Sequence, residues 1–277
     1  MDWREELDAA IEAAWAGGRA TLRWFQAGPD IETKADGSPV TVADRESERV
    51  MREVLRRRFP DDAIVGEEAG EDAGSSGRRW VLDPIDGTRS FINGVPLYGV
   101  MVGLEAAGAA VVGVLHFPAL NETVAAAAGL GCRWNGRPCR VREIDRLDDA
   151  LVVTSGDGRL ARSGDPAAGL SPQAPPDDEA LIGRVAQLER LAGRVSTFRT
   201  WGDCYGYALV ATGRADAMLD PVLNLWDTVA ARPVIEEAGG VFTDWDGRPS
   251  HSSGHAIATT RALADAARAA LRRETRT

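Results

Sequence analysis

Two aspartates, Asp83 and Asp86, close the apolar run Trp80, Val81, Leu82 within the stretch WVLDPIDGTRSFINGVP. Pro84 fixes its own φ and restricts Asp83, while Gly87 lets the chain turn sharply behind them, so the two side chains can converge. Converging carboxylates repel unless a proton or a cation lies between them, and hard oxygen donors of this kind suit Mg²⁺ better than zinc. The carbonyl of Ile85, at the turn, offers a further oxygen. An Asx turn at Asp83 and an ordinary D-G turn at Asp86 and Gly87 would explain the same residues without chemistry.

Other carboxylates shift the balance toward a metal. AIVGEEAG carries Glu67 and Glu68 at the end of an apolar strand, and NLWDTVAA places Asp227 at the start of a predicted helix. Their bland roles are a solvated strand-end charge and a helix N-cap. The N–H groups of Gly87 and Thr88, directly behind the aspartates, would cradle an anion, so that metal and cradle together describe a phosphate site. The Thr88 hydroxyl is placed to orient a water. Asp44, in VTVADRES, could hold that hydroxyl or be a first-turn helix charge, and Lys34, in the polar loop TKADGSPVT, could add positive charge near the metal or be a mobile loop lysine.

These residues need elements to position them. Leu7, Ile11, Ala14, Trp15, Leu22 and Phe25 repeat at helical spacing up to a stop at Gly28 and Pro29, and a second helix is predicted from about Val42 to Phe59, ended by Pro60. From Ala63 onward AIVGEEAG, WVLDPIDG, LYGVMVGLEA, AAVVGVLHFP and ETVAAAAG are short β-prone runs divided by Gly, Pro and Asn, and Asn135 and Gly136 signal a hairpin. The first half therefore reads as helices followed by a mostly antiparallel sheet. After a shift near residue 148, the segment from Gly156 to Glu179 lacks periodicity, and its Gly, Pro, Ser and Asp content predicts a loop or inserted surface segment. Helical patterns at Leu181–Ala192, Asp203–Thr212 and Trp226–Glu237 then alternate with strands at Ala217–Leu219, Gly240–Phe242 and Ala256–Thr259, and a closing helix follows Arg261. This is an α/β second half, giving two parts, 1–148 and 149–277.

The chain of 277 residues is 44% hydrophobic, enough for a substantial core, and its formal net charge of -10 argues against unassisted binding to nucleic acid or anionic membrane. Cys132, Cys139 and Cys204 are too few and too irregular for a disulfide framework. No apolar run approaches the roughly 20 residues of a membrane span, and MDWREELDAA is acidic and helical rather than a signal peptide. A cytoplasmic protein is expected. His116, His251 and His255 lack metal-ligand spacing and read as core or surface residues; Trp201 and Tyr205 read as packing residues, although an imidazole could meet one of them.

Taken together and in this order, KADGSPVTVAD, GEE, WVLDPIDGT and LWDTVA resemble the inositol monophosphatase superfamily of Mg²⁺-dependent, lithium-sensitive phosphatases. Within it, DGTRSFINGVP and TWGDCYGYALVATGRAD look like the bacterial histidinol-phosphate phosphatase branch, with Arg89 where that branch often has lysine. The resemblance implies an α+β fold, a layered αβαβα sandwich with the site between an α+β first half and an α/β second half, and a homodimer. It implies that Glu67, Asp83 and the Ile85 carbonyl hold one metal, with Asp83 shared to a second held by Asp86 and Asp227; two or three Mg²⁺ per site are implied, with Mn²⁺ as a substitute. Thr88, hydrogen-bonded to Asp44, would position and help deprotonate the attacking water, which the metal held by Glu67 binds, and the Gly87 and Thr88 N–H groups would take the phosphate oxygens. Lys34 and Glu68 would be auxiliary.

The implied reaction is hydrolysis of a small phosphomonoester, most closely L-histidinol phosphate in histidine biosynthesis. Histidinol carries an ammonium and an imidazole, so an anionic recognition patch is expected, with Asp203 and Asp220 as candidates and Arg199 organising them or touching substrate. Asp203 could equally be the N-cap of the following helix. Inositol monophosphate, another sugar phosphate or a 3'-phosphonucleotide are the alternatives within the fold, and a non-catalytic metal-dependent binding protein is the alternative from another class.

Overall fold

The computed structural model describes residues 2–34, 38–155 and 178–271. Small residues decide how the first helices pack. Helix α1 (Arg4–Leu22) buries Ala9, Ala10, Ala13, Ala14, Gly17 and Gly18. A Cβ on Gly17 would fall 2.7 Å from Met51 Sδ and 2.8 Å from Ser47 Oγ, so this face admits the side chains of α2 (Val42–Arg58) at close range. Thr41 and Asp44 form a capping box that starts α2, and Phe59 and Pro60 follow its end. The loop expected around Lys34 is a short hairpin, β1 (Ile31–Thr33) with β2 (Pro39–Thr41), closed by Lys34 N donating to Ser38 O at 2.8 Å.

Eight strands form the first sheet: β3 (Ala63–Gly66), β4 (Gly70–Asp72), β5 (Arg78–Asp86), β6 (Gly99–Ala106), β7 (Ala109–Phe117), β8 (Glu122–Ala127), β9 (Gly131–Trp134) and β10 (Arg137–Pro138). Their spatial order is β10-β9-β8-β7-β6-β5-β3-β4, antiparallel throughout except for the parallel β3–β5 pair. The hairpin at Asn135 and Gly136 joins β9 to β10 with both residues at positive φ, 47° and 78°, the conformation an Asn-Gly turn supplies at little cost. The second sheet has five strands in the order β12-β11-β13-β15-β14: β11 (Leu151–Val153), β12 (Thr197–Arg199), β13 (Ala217–Asp220), β14 (Gly240–Thr243) and β15 (Ala256–Thr260). β11 runs parallel to both neighbours, and β15 antiparallel to both of its own.

Strand alternation assigns the layers. Val100, Val102 and Leu104 of β6 pack with Ala10, Ala13 and Leu55 of the first helices, whereas Met101 faces the opposite way into a cluster with Tyr207, Val210, Val234 and Ile235. Those residues belong to α5 (Asp203–Ala211) and α7 (Ala231–Glu237), and the same cluster takes Met218 and Ala258 from the second sheet. Leu219 and Ile257 point away, onto Leu188 and Leu191 of α4 (Asp178–Ala192) and Ala270 and Leu271 of α8 (Ala264–Leu271). Helix, sheet, helix, sheet and helix follow in turn, the layered αβαβα arrangement.

One expected helix is divided. The stretch Trp226–Glu237 forms a short α6 (Leu225–Thr228) and then α7, because Pro233 has no N–H with which to continue an unbroken ladder. The segment from Gly156 falls outside the described residues as far as position 177; α4 begins at Asp178. At the α6–α7 junction, Val229 and Ala230 lie on a flat patch made by Gly103 and Gly113, which pair across β6 and β7. A Cβ on Gly113 would stand 2.0 Å from Ala230 O.

Gly113→Ala is therefore expected to push the junction off the sheet and cost ~1–3 kcal/mol, as overpacking does. A lower urea midpoint at unchanged slope would show it, and because Asp227 lies just before the junction, metal binding should weaken in the folded variant.

Candidate active site and metal centre

β5 leaves its ladder with β6 between Asp83 and Asp86, a register break of the kind that re-aims side chains beside functional sites. Within the break Asp83 Oδ1 accepts the Ile85 N–H at 3.0 Å, and Thr88 Oγ1 donates to Ile85 O at 3.0 Å. Gly87 has φ +82° and begins the short helix α3 (Thr88–Ile92). A Cβ there would lie 2.8 Å from Asp203 Oδ2, so both the conformation and the neighbour require glycine.

Asp227 reaches the same place from the other part of the chain. Asn224, not Asp227, is the N-cap of α6; Asp227 occupies the third helical position and accepts Asn224 N at 2.6 Å. One carboxylate oxygen each from Asp83, Asp86 and Asp227 lies within 4.8 Å of the others. Cys204, in the first turn of α5, donates its backbone N–H to Asp86 Oδ2.

The electrostatics follow from burial and crowding. Burial, then Glu67, Asp86, Asp227 and Asp44, pushes the Asp83 pKa well above the ordinary carboxylate range. Asp86 is raised to about 7 by burial and by Asp227, against the Cys204 hydrogen bond, and Asp227 to about 8 by burial, Glu67 and Asp220, against the Asn224 N–H. Three such groups in one small volume are the donor set a hard divalent cation fits: all oxygen, with mutual repulsion that a cation would relieve.

Glu67 and Glu68 stand beside this triangle. Lys34 Nζ bridges them at 2.7 Å and 2.5 Å, and although burial opposes its charge, the two glutamates outweigh that and raise its pKa. Glu67 itself is raised to about 7 by burial, in spite of Lys34. Lys34 is thus held by specific partners, and the Glu67 carboxylate, close enough to perturb Asp83 and Asp227, is turned to the ammonium.

Asp44 takes its first-turn helix role rather than the Thr88 bond. Its Oδ2 accepts Thr41 N at 2.8 Å and Thr41 Oγ1 at 2.7 Å, while the single Thr88 hydroxyl proton goes to Ile85 O. The expected Asp44–Thr88 bond is replaced by a capping box, because Asp44 is the third residue of α2 and Thr41 lies directly before it. Burial raises Asp44 to about 6, with the Thr41 bonds opposing.

Of the recognition candidates, Asp203 and Asp220 converge and Arg199 does not. Asp203 is not the cap of α5, which is Gly202; it holds φ +52°, its N–H donates to Ser155 Oγ at 2.7 Å, and its carboxylate rests against Gly87. Burial, then Asp86 and Asp220, raises its pKa well above normal. Asp220, at the end of β13, accepts Tyr207 Oη at 2.7 Å and Ser155 N at 3.2 Å and is raised by burial to about 6. Arg199 is exposed and folds back onto Phe198 O at 2.9 Å, because it ends the edge strand β12. Trp201 is 42% exposed rather than packed, whereas Tyr205 packs edge-on against Phe117.

Sequence reasoning overlooked Ser155, the Cys204 N–H, and Glu48, whose carboxylate accepts the backbone N–H groups of Glu68 and Ala69 at 2.8 Å and 3.1 Å. None stands at a spacing from its partner that signals contact.

The inositol monophosphatase family profile matches residues 2–276. The chain is 42% identical over 253 residues to a histidinol-phosphatase of Chlorobaculum parvum, covering 91% of this chain and 90% of that protein. It is 36% identical over 269 residues to a histidinol-phosphatase of Streptomyces coelicolor, covering 95% and 96%. A crystal structure of the extragenic suppressor protein suhB of Bartonella henselae superposes with a TM-score of 0.83 at 29% identity, covering 96% of this chain and 98% of that one.

The raised carboxylates give a signed pH dependence. An acid whose folded pKa exceeds its unfolded value of about 4 contributes stability at low pH that is lost as pH rises through the folded pKa. In EDTA, Tm should therefore fall as pH is raised toward and through about 7 to 8, where Asp86 and Asp227 ionise. Mg²⁺ should restore it most strongly at the upper end, and a Mg²⁺-induced gain in Tm that shrinks between pH 6 and 8 would contradict this electrostatic picture.

Proposed function

The chain belongs to the inositol monophosphatase family and is a phosphatase of small phosphomonoesters, and from that premise we propose that it hydrolyses L-histidinol phosphate to L-histidinol and inorganic phosphate, with Mg²⁺ as cofactor. One observation carries the substrate reading: a second acidic pair, Asp203 and Asp220, adjoins the carboxylate triangle, with Asp203 directly against Gly87. A polyol leaving group offers such acids only neutral hydroxyl donors, the weaker partners. Histidinol is cationic, and its ammonium or imidazole would find in Asp203 a partner for a charge-assisted hydrogen bond, with the buried Asp220, held by Tyr207 and Ser155, adding negative charge behind it.

Asp83, Asp86 and Asp227 would hold metal, together with Glu67 and the carbonyl of Ile85. Divalent ions bound there supply neutralisation of the phosphate charge and activation of water. The remaining work belongs to the chain. Thr88 Oγ1, its own proton engaged by Ile85 O, presents lone pairs that accept a hydrogen bond from the attacking water and orient it. The N–H groups of Gly87 and Thr88, at the start of α3, face phosphate oxygens. Lys34 balances Glu67 and Glu68, so that the GEE turn does not add two uncompensated charges to a site that must admit an anion.

Asp86→Asn should abolish nearly all turnover in a folded protein; near-normal rates at saturating Mg²⁺ would refute the ligand assignment. Thr88→Ala should lower kcat more than it raises KM, because its task concerns the nucleophile. Phosphate release measured across histidinol phosphate, inositol monophosphate, a sugar phosphate and a 3'-phosphonucleotide decides the substrate, with the first expected to have the highest kcat/KM. Asp203→Ala should lower kcat/KM for histidinol phosphate by more than for inositol monophosphate, and an equal loss on both would remove Asp203 from recognition.

A further inference from the structure

The turn Gly66–Gly70, which carries Glu67 and Glu68, is held through several of its backbone groups. Glu67 N donates to Leu82 O at 3.3 Å. Glu68 N and Ala69 N donate to the two carboxylate oxygens of Glu48, at 2.8 Å and 3.1 Å, and Gly70 O accepts Arg52 Nη2 at 2.5 Å. Glu48 and Arg52 lie one turn apart on α2 and pair at 2.8 Å; both are buried, with 1% and 4% of their surface exposed. Arg52 also reaches Asp72 Oδ2 at 2.6 Å and Ile64 O at 3.5 Å, on either side of the turn. Gly66 completes the fit: a Cβ there would lie 2.3 Å from Glu48 Cδ and 2.4 Å and 2.5 Å from its two oxygens, so the carboxylate sits where only glycine leaves room.

A buried ion pair of this kind contributes little net stability, since desolvation offsets most of the attraction, and its best-attested use is to select one geometry. Here the geometry selected is that of the backbone bearing Glu67. We propose that Glu48 and Arg52 form a positioning clamp that presets the Glu67 turn for the metal, with Glu48 acting on the backbone of the turn and touching neither metal nor substrate. This rests on the reading of Glu67 as a metal ligand. Partners of this order, which hold ligands without binding the ion, change metal affinity by about 10- to 100-fold when removed. Arg52 also balances the charge of Glu48 within the buried pair.

Two substitutions disturb the clamp by independent routes. Glu48→Gln keeps the shape but replaces one acceptor by a donor, set against an N–H or the Arg52 guanidinium; Gly66→Ala leaves Glu48 intact and displaces its carboxylate. Mg²⁺ binding is read by calorimetry and by the Mg²⁺-induced shift in Tm, beside kcat at saturating Mg²⁺. The expected result is a half-saturating Mg²⁺ concentration raised about 10-fold or more in each, with most of kcat regained at saturation, and a double variant little worse than either single one. A purely structural role predicts a lower Tm in EDTA with Mg²⁺ affinity unchanged, and that outcome in both folded variants overturns the proposal. Glu67→Gln separates the two readings. If it weakens Mg²⁺ binding while the clamp variants do not, the clamp alone falls; if it leaves Mg²⁺ binding unchanged, the ligand assignment falls and takes the clamp with it.

Discussion

Mutual repulsion among Asp83, Asp86 and Asp227 is the constraint around which this molecule is arranged. Three carboxylates within 4.8 Å, Asp83 buried and Asp86 and Asp227 half-buried, would spread apart if their backbones allowed it. Each is prevented by a local device: a break in the β5–β6 ladder with an Ile85 N–H on Asp83, the Cys204 N–H on Asp86, and the Asn224 capping box on Asp227. Those N–H groups favour the charged form of each acid but do not outweigh burial and the neighbouring charges, and the pKa values remain raised. The structure thus holds in advance three oxygen donors that a hard cation could bridge.

Layering makes that convergence possible. The helices between the two sheets carry Cys204 and follow Asp227, while the first sheet delivers Asp83 and Asp86. Their separation is set by glycines. Gly103 and Gly113 let the α6–α7 junction sit on the first sheet, and Gly99 admits Cys204 Sγ, which would lie 2.4 Å from a Cβ at that position. A bulkier surface would move Asp227 and Cys204 outward together, so packing density and metal geometry are coupled. On the opposite side of the sheet, α2 sets Glu48 and Arg52 against the turn that bears Glu67.

Much of this was legible in the order of residues. Helix and strand periodicity located most elements, since burial of one face imposes a period of 3.6 or 2 wherever a helix or strand covers a core. The exceptions have local causes. The helix expected over Trp226–Glu237 is interrupted ahead of Pro233, and the loop at Lys34 is a hairpin because Ile31–Thr33 finds Pro39–Thr41 to pair with. Within the site, Asp83, Asp86 and Asp227 were visible as acids at turns and helix starts, and the DPIDGT elbow announced its own geometry through Pro84 and Gly87. Of the two roles open to Asp44, the first-turn helix acid is the one it takes, because Thr41, three residues away, holds it by capping-box geometry. Arg199, expected to organise Asp203 and Asp220 or to touch substrate, is pointed elsewhere by its edge strand.

The sequence by itself determined the inventory of oxygen donors, the glycines at tight turns and the alternating burial of each strand, because these depend on residue type and on neighbours a few positions away. Only the tertiary structure decided which distant groups meet: Asp86 with the Cys204 N–H, Asp203 with Gly87, and Glu48 with the turn that bears Glu67. Such contacts join positions whose separation along the chain carries no period. They arise from the stacking of layers, where one side chain's place is set by the volume and hydrogen-bonding groups of another element.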